Sequence, residues 1–528
     1  MFVKTVVQKN TYYDSIQLMR IAGDLSRRPG VVDIAVLMGT AQNKAGMGNG
    51  ALRTDAVEAA TANDLFIVVQ AEREEAADEA LALAQEMIVG AGSATPGRHI
   101  PEAYSWDSAI AQQKESNIAL FSLPGAYVRT EAEKALDAGL HLMIFSDNVP
   151  VKDERALKIK GREKGLLVMG PDCGTSIING AALAFANAVR RGRIGLIGAS
   201  GTGIQEVSCL IHDLGEGVSH AIGVGSRDVR DEVGGIMTME GMRLLAEDGA
   251  TDVIAVVSKM PDAGVLTSMR KVASCIEKPV VFTLLGGEGI SPGSDRDVHC
   301  AFTLEDAAVK AVALLRQRDG RIGDNAPADM ISALKAQATQ ARAKLGGNQK
   351  YLRGLFCGGT FTGESASILA SLNCGNVYSN VFAPGVQPMR DVLVSCGHCC
   401  IDMGDDVFTQ GKPHPMIEPY LRHRRILREA EDPETAVLLL DAITGYGCHS
   451  DPAGVLAESL AEADEIAKKS GRYLPRVVYL CGVEGDPQNY AEQKRKLSEA
   501  GCIIAPTSKA AALLAAEFVK PPFRRGGI

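Results

Sequence analysis

No run of about 18 uninterrupted apolar residues occurs in the 528-residue chain, so the sequence encodes no conventional membrane-spanning helix. The amino-terminus, MFVKTVVQKNTYYDS, lacks the sections of a signal sequence and reads as a strand leading into a polar turn, so a cytoplasmic protein is expected. Basic residues are in deficit: 55 Lys and Arg face 64 Asp and Glu, a formal charge of −9, which argues against a reader of nucleic-acid backbones. Tryptophan is nearly missing, with Trp106 alone. Paired cysteines are lacking too: the 12 cysteines are scattered, mostly single within apolar or glycine-rich segments such as those around Cys209, Cys275 and Cys481, as reduced cysteines are. Only Cys396, Cys399 and Cys400 cluster, around His398, and no second set of ligands stands at matching spacing, so no metal site is expected. With 46% apolar and 23% charged residues, the chain is neither disordered nor fibrous.

Glycine, by contrast, is abundant: 56 of 528 residues, about 11% against a typical ~7%. In a chain with this much apolar material, that excess points to many tight strand-to-helix turns. At ~150 residues per domain the length allows three or four domains. Short apolar runs alternate with amphipathic stretches of helical period, so the expected class is α/β throughout, with mainly parallel sheets. Residues 1–95 read as a small α/β domain with a helix over Ser15–Leu25, and 91–115, beginning AGSATPG, as an exposed linker. Residues 115–190, carrying NIALFSLPG, LHLMIFSD and LLVMGPDCGTS, read as a Rossmann-like unit. Two further units span 191–318 and 350–522, and the stretch 317–349 between them reads as a solvated spacer ending in an Ala/Lys/Gln-rich helix.

Those last two units repeat each other. RIGLIGASGTG (193–203) matches LRGLFCGGTFTG (352–363), with Ser200-Gly201-Thr202 against Gly358-Gly359-Thr360. TDVIAVVSKMPDAG (251–264) matches TAVLLLDAITGYG (435–447), KPVVFTLLGGEG (278–289) matches LPRVVYLCGVEG (474–485), and FTLEDAAVKAVALL (302–315) matches PTSKAAALLAAEFV (506–519). Four matched segments in one order predict two flavodoxin-like, doubly wound domains related by duplication. In such sheets ligands bind at the carboxyl ends of strands, where a glycine turn lets the amides of a helix start face an anion. Thr202 and Thr360 sit at these starts, either capping the helix or donating to a phosphate oxygen. The presence of one turn in each repeat favours a shared anion site.

The stretch GLLVMGPDCGTS…RIGLIGASGTGIQEV resembles the α subunit of succinyl-CoA synthetase, and the second repeat resembles the carboxyl-terminal domain of that enzyme's β subunit. The whole chain is similar to the FdrA family of acyl-CoA-synthetase-like proteins, on FSDNV (145–149), KGLLVMGPDCGTS (164–176), GASGTGIQE and GDDVFTQGKPHPMI (404–417). The resemblance implies a CoA-binding-like fold for 115–190 and synthetase-like folds for the two repeats. It also implies that two helix starts, Ser200-Gly201-Thr202-Gly203 and Gly358-Gly359-Thr360, grip a phosphate. Where the synthetases carry their active histidine, this chain has the shortened GGEGISPGSDRDVHCAF (286–302), so His299 reads as a strand or turn residue rather than a phosphoryl carrier. The family's supporting glutamate falls at Lys259; a lysine suits a directly bound phosphate, a glutamate an imidazolium. No ATP-grasp domain and no GxxxxGK[ST] loop is present, and LMGTAQNKAGMGNG (37–50) does not follow the family's CoA loop. No cofactor is therefore evident, and CoA stays open.

GDDVFTQGKPHPMIEP (404–419) joins Asp405 and Asp406 to Lys412 and His414, whose flanking prolines fix an extended backbone; His414 reads as a general acid or base, or as a loop histidine. GPDCGTS places Asp172 and Cys173 at a strand end, for substrate contact or for structure. GYGCHSDPAG (445–454) either lines the pocket or is a turn with an Asp cap, and RHRR (422–425) reads as a solvated helix face. Together these features predict a transferase subunit acting on a small phosphorylated substrate. The resemblance implies the oxamate carbamoyltransferase type, interconverting oxalurate plus phosphate with oxamate plus carbamoyl phosphate, with separate partner subunits or as a homo-oligomer. Lys259, His414, Asp405 and Asp406 are the candidate catalytic groups. The alternatives are an acyl-CoA synthetase acting with a separate ATP-grasp chain, and a non-catalytic scaffold or regulatory subunit.

Overall fold

Four sheets organise the protein in a computed structural model that describes the chain apart from residues 12, 14, 27, 41–42, 45–46, 48–49, 92–102, 288–297, 321–327, 410–412 and 521–528. Most of AGSATPG and RIGDNAPAD, the centre of 286–302, Lys412 and part of 37–50 lie outside the described residues. Two compact units emerge, Met1–Glu102 with Met403–Arg425, and Ala103–Asp402 with Ile426–Ile528.

In the first unit, strands Phe2–Gln8 and Val31–Met38 flank the central Leu65–Ala71, and both run antiparallel to it, against the expectation of parallel pairing. An apolar run records burial, not direction, and here both faces of the central strand are covered. Helices Ser15–Ser26 and Glu74–Ala91 pack on one face through Leu18, Leu25, Ala77 and Ile88. Leu52, Val57 and Ala60 close the other, against Phe66 and Val68.

The second unit opens with a short helix, Trp106–Gln112, in the stretch read as linker. Ser105 and Ser108 cap it reciprocally, and the lone tryptophan anchors it, its Nε1 donating to Glu131 Oε2 at 2.7 Å. Three short parallel strands follow, Ile118–Phe121, His141–Ile144 and Val168–Met169. Beyond GPDCGTS the chain leaves this sheet: Thr175–Ile178 and Ala181–Ala184 form a hairpin on the edge of the next one, covering its Val218–Gly223 strand antiparallel.

That next sheet has seven strands, in the order Val298–Ala301, Val280–Leu285, Val253–Lys259, Arg191–Gly198, Val218–Gly223, then the hairpin. Apart from the hairpin its strands are parallel. The fourth sheet repeats the scheme with Ile503–Ala505, Arg476–Cys481, Thr435–Ile443, Tyr351–Phe356 and His398–Asp402, extended by Val377–Ser379 and Gln387–Pro388, all parallel. Both sheets show the flavodoxin-like order, with the first strand of each repeat in the middle. In the stretch read as a solvated spacer, the helix Ala328–Arg342 instead buries Ala338 and Ala341, and Arg342 Nη1 donates to the Glu517 carbonyl at 2.9 Å. The RHRR run is likewise no solvated face, since Arg422 and Arg425 are buried.

One polar knot joins the three-stranded sheet to its neighbour. Lys158, on the helix Val151–Glu163, donates to Glu154 Oε1 at 2.7 Å, Asp228 Oδ1 at 2.9 Å and the Val224 carbonyl at 2.8 Å. Asp228 in turn accepts from the Thr238 amide and hydroxyl at 2.8 and 2.7 Å, at the start of the helix Ile236–Glu247. Because Lys158, Glu154 and Asp228 are completely buried, removing the ammonium that both carboxylates share leaves Glu154 only its pair with Arg227 at 2.9 Å and takes the cation from Asp228. Lys158→Met is expected to cost about 3–5 kcal/mol, read as a lowered urea midpoint at unchanged slope.

Candidate functional site

Each central strand runs out into a glycine turn and then a helix. After Arg191–Gly198, Ser200 caps the helix Gly201–Asp213, its hydroxyl accepting from the Gly203 amide at 3.0 Å. After Tyr351–Phe356, Gly358 takes the cap position of the helix Gly359–Ser371 without a side chain. Buried Asp441, on the neighbouring strand, steadies this second turn, both its oxygens accepting from the Cys357 amide at 3.1 and 3.0 Å.

The two helix starts meet head to head. The Ser200 hydroxyl hydrogen-bonds that of Thr360 across the repeats. On the other side of the contact, a Cβ on Gly358 would lie 2.6 Å from Thr202 Cγ2 and 2.9 Å from its Oγ1, so only glycine permits this approach. Two strand ends bring charge to the same place: a Cβ on Gly359 would lie 3.2 Å from Lys259 Nζ and 2.8 Å from Asp402 Oδ2. Asn380 pins Asp402 by its backbone, accepting from the Asp402 amide at 2.9 Å and donating to its carbonyl at 3.0 Å. Thr175 Oγ1 stands 3.2 Å from the Cβ position of Gly201 and donates to the Phe185 carbonyl at 2.6 Å.

Ser200, Gly201, Thr202, Gly203, Gly358, Gly359, Thr360 and Lys259 are thus brought together. Asp172 and Cys173, just before the Gly174–Thr175 stretch that lies against Gly201, have other partners. Asp172 is exposed, in a left-handed backbone conformation, with Oδ2 accepting from Ser226 Oγ at 3.1 Å. Cys173 is sealed in the core, its Sγ 3.3 Å from the Gly223 carbonyl, and burial pushes its thiol up to about 11. A thiol so protonated and enclosed packs the strand end and offers no surface to a substrate.

Asp405, Asp406 and His414 belong to the other unit, whereas His299 and Asp451 share the unit of the helix starts. Asp405 caps the short helix Asp406–Thr409, with Oδ1 accepting from the Val407 amide at 3.0 Å, while Asp406 is exposed. His414 Nδ1 accepts from the Met416 amide at 3.3 Å, and desolvation drives the ring down to about 4, so it is neutral at physiological pH. His299 lies half-buried on the edge strand Val298–Ala301. In GYGCHSDPAG, Asp451 caps the helix Pro452–Lys469 and pairs with Lys496 at 2.7 Å. Sequence reasoning missed Asp402 and Asp441; carboxylates at the ends of strands matched to the glycine turns were the signal available.

Three family models match the chain: one described as AllF, heavy metal-associated domain, over residues 1–101, one as a CoA binding domain over 189–284, and one as CoA-ligase over 355–518. The first name does not fit a metal here. Residues 1–101 contain no cysteine and a single histidine, His99, and no group of three or more metal-ligating side chains occurs among the described residues. Among those residues, no helix is long and apolar enough to cross a membrane. The α subunit of an ADP-forming succinate–CoA ligase from Aquifex aeolicus is 29% identical over 34% of this chain and 59% of its own length. An α subunit of the same enzyme from Archaeoglobus fulgidus is 25% identical over 44% of this chain and 82% of its own. The two α-subunit matches and the CoA-ligase and CoA binding models give the duplicated part an acyl-CoA-ligase-like architecture. YahF from Escherichia coli K12 is 41% identical over 98% of this chain and 99% of its own length. Carried from end to end at that level, the likeness means that the chain belongs to the FdrA family of acyl-CoA-synthetase-like proteins.

Proposed function

We propose that the chain is the phosphate-handling subunit of an acyl- or carbamoyl-transfer assembly, and that its substrate is a small acyl phosphate of the carbamoyl phosphate type. The observation that carries this reading is the meeting of two helix starts beside Lys259. Each helix start is equivalent to roughly half a positive charge, so two of them with the ammonium come to about +2, which Asp402 lowers to about +1. Such a site favours an anion with several acceptor oxygens. In this reading Lys259 neutralises the phosphate as the bond to the acyl carbon forms or breaks, and Asp402 exchanges a proton with the transferred group. Positioning and charge stabilisation supply the catalysis, with no phosphohistidine. The oxalurate–oxamate interconversion, with partner subunits providing the acceptor site, is the specific reaction we assign.

A second reading has support of its own: the CoA-ligase and CoA binding domain matches favour an acyl-CoA synthetase acting with a separate ATP-grasp chain. Incubation with radiolabelled ATP and an ATP-grasp chain separates the two. Under the first reading no acid-labile phosphohistidine appears; stable label on His299 or His414 would establish the second.

Inorganic phosphate and carbamoyl phosphate are expected to raise the melting temperature of the wild type. Lys259→Ala removes a charge-assisted contact of about 1.5–3 kcal/mol, so binding should weaken roughly 10- to 100-fold and the shift should vanish at millimolar ligand. An unchanged shift would exclude Lys259 from the site. Gly358→Ala must push the helix starts apart, because its Cβ would lie 2.6 Å from Thr202 Cγ2. It should abolish the phosphate response while leaving the circular dichroism spectrum intact.

A further inference from the structure

One turn behind the helix starts, the two repeats exchange carboxylates. Glu206 lies four residues after Thr202 and Glu364 four residues after Thr360, each on the buried face of its helix. Glu206, in the first repeat, caps the last helix of the second: its Oε1 accepts from the Ser508 amide at 3.2 Å, at the start of Ser508–Val519. Glu364, in the second repeat, caps the last helix of the first: its Oε1 accepts from the Leu304 amide at 2.8 Å, at the start of Leu304–Arg318. The two carboxyls meet at one hydroxyl. Ser508 Oγ is 3.1 Å from Glu206 Oε1 and also hydrogen-bonds Glu364 Oε2.

Counting hydrogens decides the protonation state. A serine hydroxyl carries one hydrogen and can donate to only one of the two oxygens. The other contact is a hydrogen bond only if that carboxyl donates; with both carboxylates ionised it would set lone pairs against lone pairs, and leave two like charges buried together. The neighbours break the tie. Lys509, which pairs with Asp306 at 2.9 Å and lies near Glu305, also faces Glu364 and favours its ionised form. Glu206 faces Tyr479, Cys209 and Cys481, with Glu364 as its like-charged neighbour and no cation among its dominant influences. Burial and Glu364 push Glu206 up to about 8.

We propose that Glu206 and Glu364 hold one proton between them through Ser508, and that this proton keeps the two helix starts at their present spacing. When it leaves, two carboxylates repel across the junction and the Ser200–Thr360 contact behind which they stand is released. The proton itself rests only on the buried pair; its control of anion binding rests on the site reading above. The sign of the stability effect is opposite to that of an ordinary paired carboxylate. The folded protein holds this proton up to about 8, whereas the unfolded chain releases it near the ordinary 4.5. The stabilisation is therefore complete below 4.5 and is lost as pH rises through about 8.

Infrared spectroscopy of the full chain at pH 7 tests the proton, since solvent-exposed carboxyls are ionised there. A protonated-carboxyl band is expected in the wild type, absent in Glu206→Gln and titrating at lower pH in Glu364→Gln, where the like charge is gone. The wild-type melting temperature should fall from pH 5 to pH 9 more steeply than that of Glu206→Gln, which mimics the protonated form. Absence of the band, or its persistence with the same midpoint in both variants, would overturn the proposal, and the wild-type spectrum decides even where a variant does not fold. Inorganic phosphate tests the coupling: its melting shift should decline from pH 6 to pH 9 more in the wild type than in Glu206→Gln. Equal declines would refute control of the site by the proton. A band that behaves as expected in a protein that phosphate never stabilises would instead defeat the anion-site reading and leave the shared proton standing.

Discussion

Two helices with their positive ends pressed together make an unfavourable pair, and the duplicated half of this protein is arranged around holding them so. Two half-charges a few ångströms apart repel by about 1 kcal/mol at the dielectric of a partly wet site. That is small beside the packing of two seven-stranded sheets, but it acts at the point where the repeats touch, and it biases that point toward negative charge. Asp402 supplies part of the compensation, and Asp441 fastens the turn from behind. In the anion-site reading proposed above, a bound anion would complete it. Holding the two helix starts together thus comes at some cost in stability, as strained geometry kept in a fold does.

The junction is held on its far side by a second buried polar cluster. Asp486 accepts four hydrogen bonds, from Asn187 Nδ2 at 2.7 Å, the Ala188 amide at 2.8 Å, Thr444 Oγ1 at 2.6 Å and the Val483 amide at 2.9 Å. Asn187 also donates to the Thr444 carbonyl at 2.9 Å and accepts from Gln205 at 3.2 Å, so the cluster reaches the first helix itself. A carboxylate satisfied on this scale locks one relative placement of the repeats, because any slip strands it unpaired. Such directional contacts set the spacing of the helix starts more narrowly than apolar packing could.

Much of this was legible from the chain. The repeat could be read because glycine turns, strand ends and the closing helices recur in the same order, and the two sheets carry the same strand order. The sequence also shows why the helix starts can approach, since Gly358 stands where the other repeat has Ser200. What escaped was whatever depends on partners distant in sequence. Glu206 and Glu364 look like solvent-facing helix residues until the sheets are assembled, and Arg422 and Arg425, in a run of four basic residues, are buried. The antiparallel amino-terminal sheet escaped for another reason: VVDIAVLM and DLFIVVQA announce buried strands without announcing their direction. For Cys173 the glycine loop left substrate contact and structure both open, and the loop turns it inward.

The contact between Ser200 and Thr360 has its mirror position occupied by Gly358 against Thr202, and the two are not interchangeable. Serine on both sides would be blocked by a threonine methyl; glycine on both sides would forfeit the hydroxyl bridge. The same holds for charge, for Lys259 is matched in the other repeat by the buried Ile443. A homodimer about a true twofold axis delivers every residue at the axis in pairs, and so can place there only even numbers of charges and self-matching shapes. Joining the two copies in one chain removed that parity rule, and the odd lysine and the unequal serine–glycine pair are what the freedom was used for.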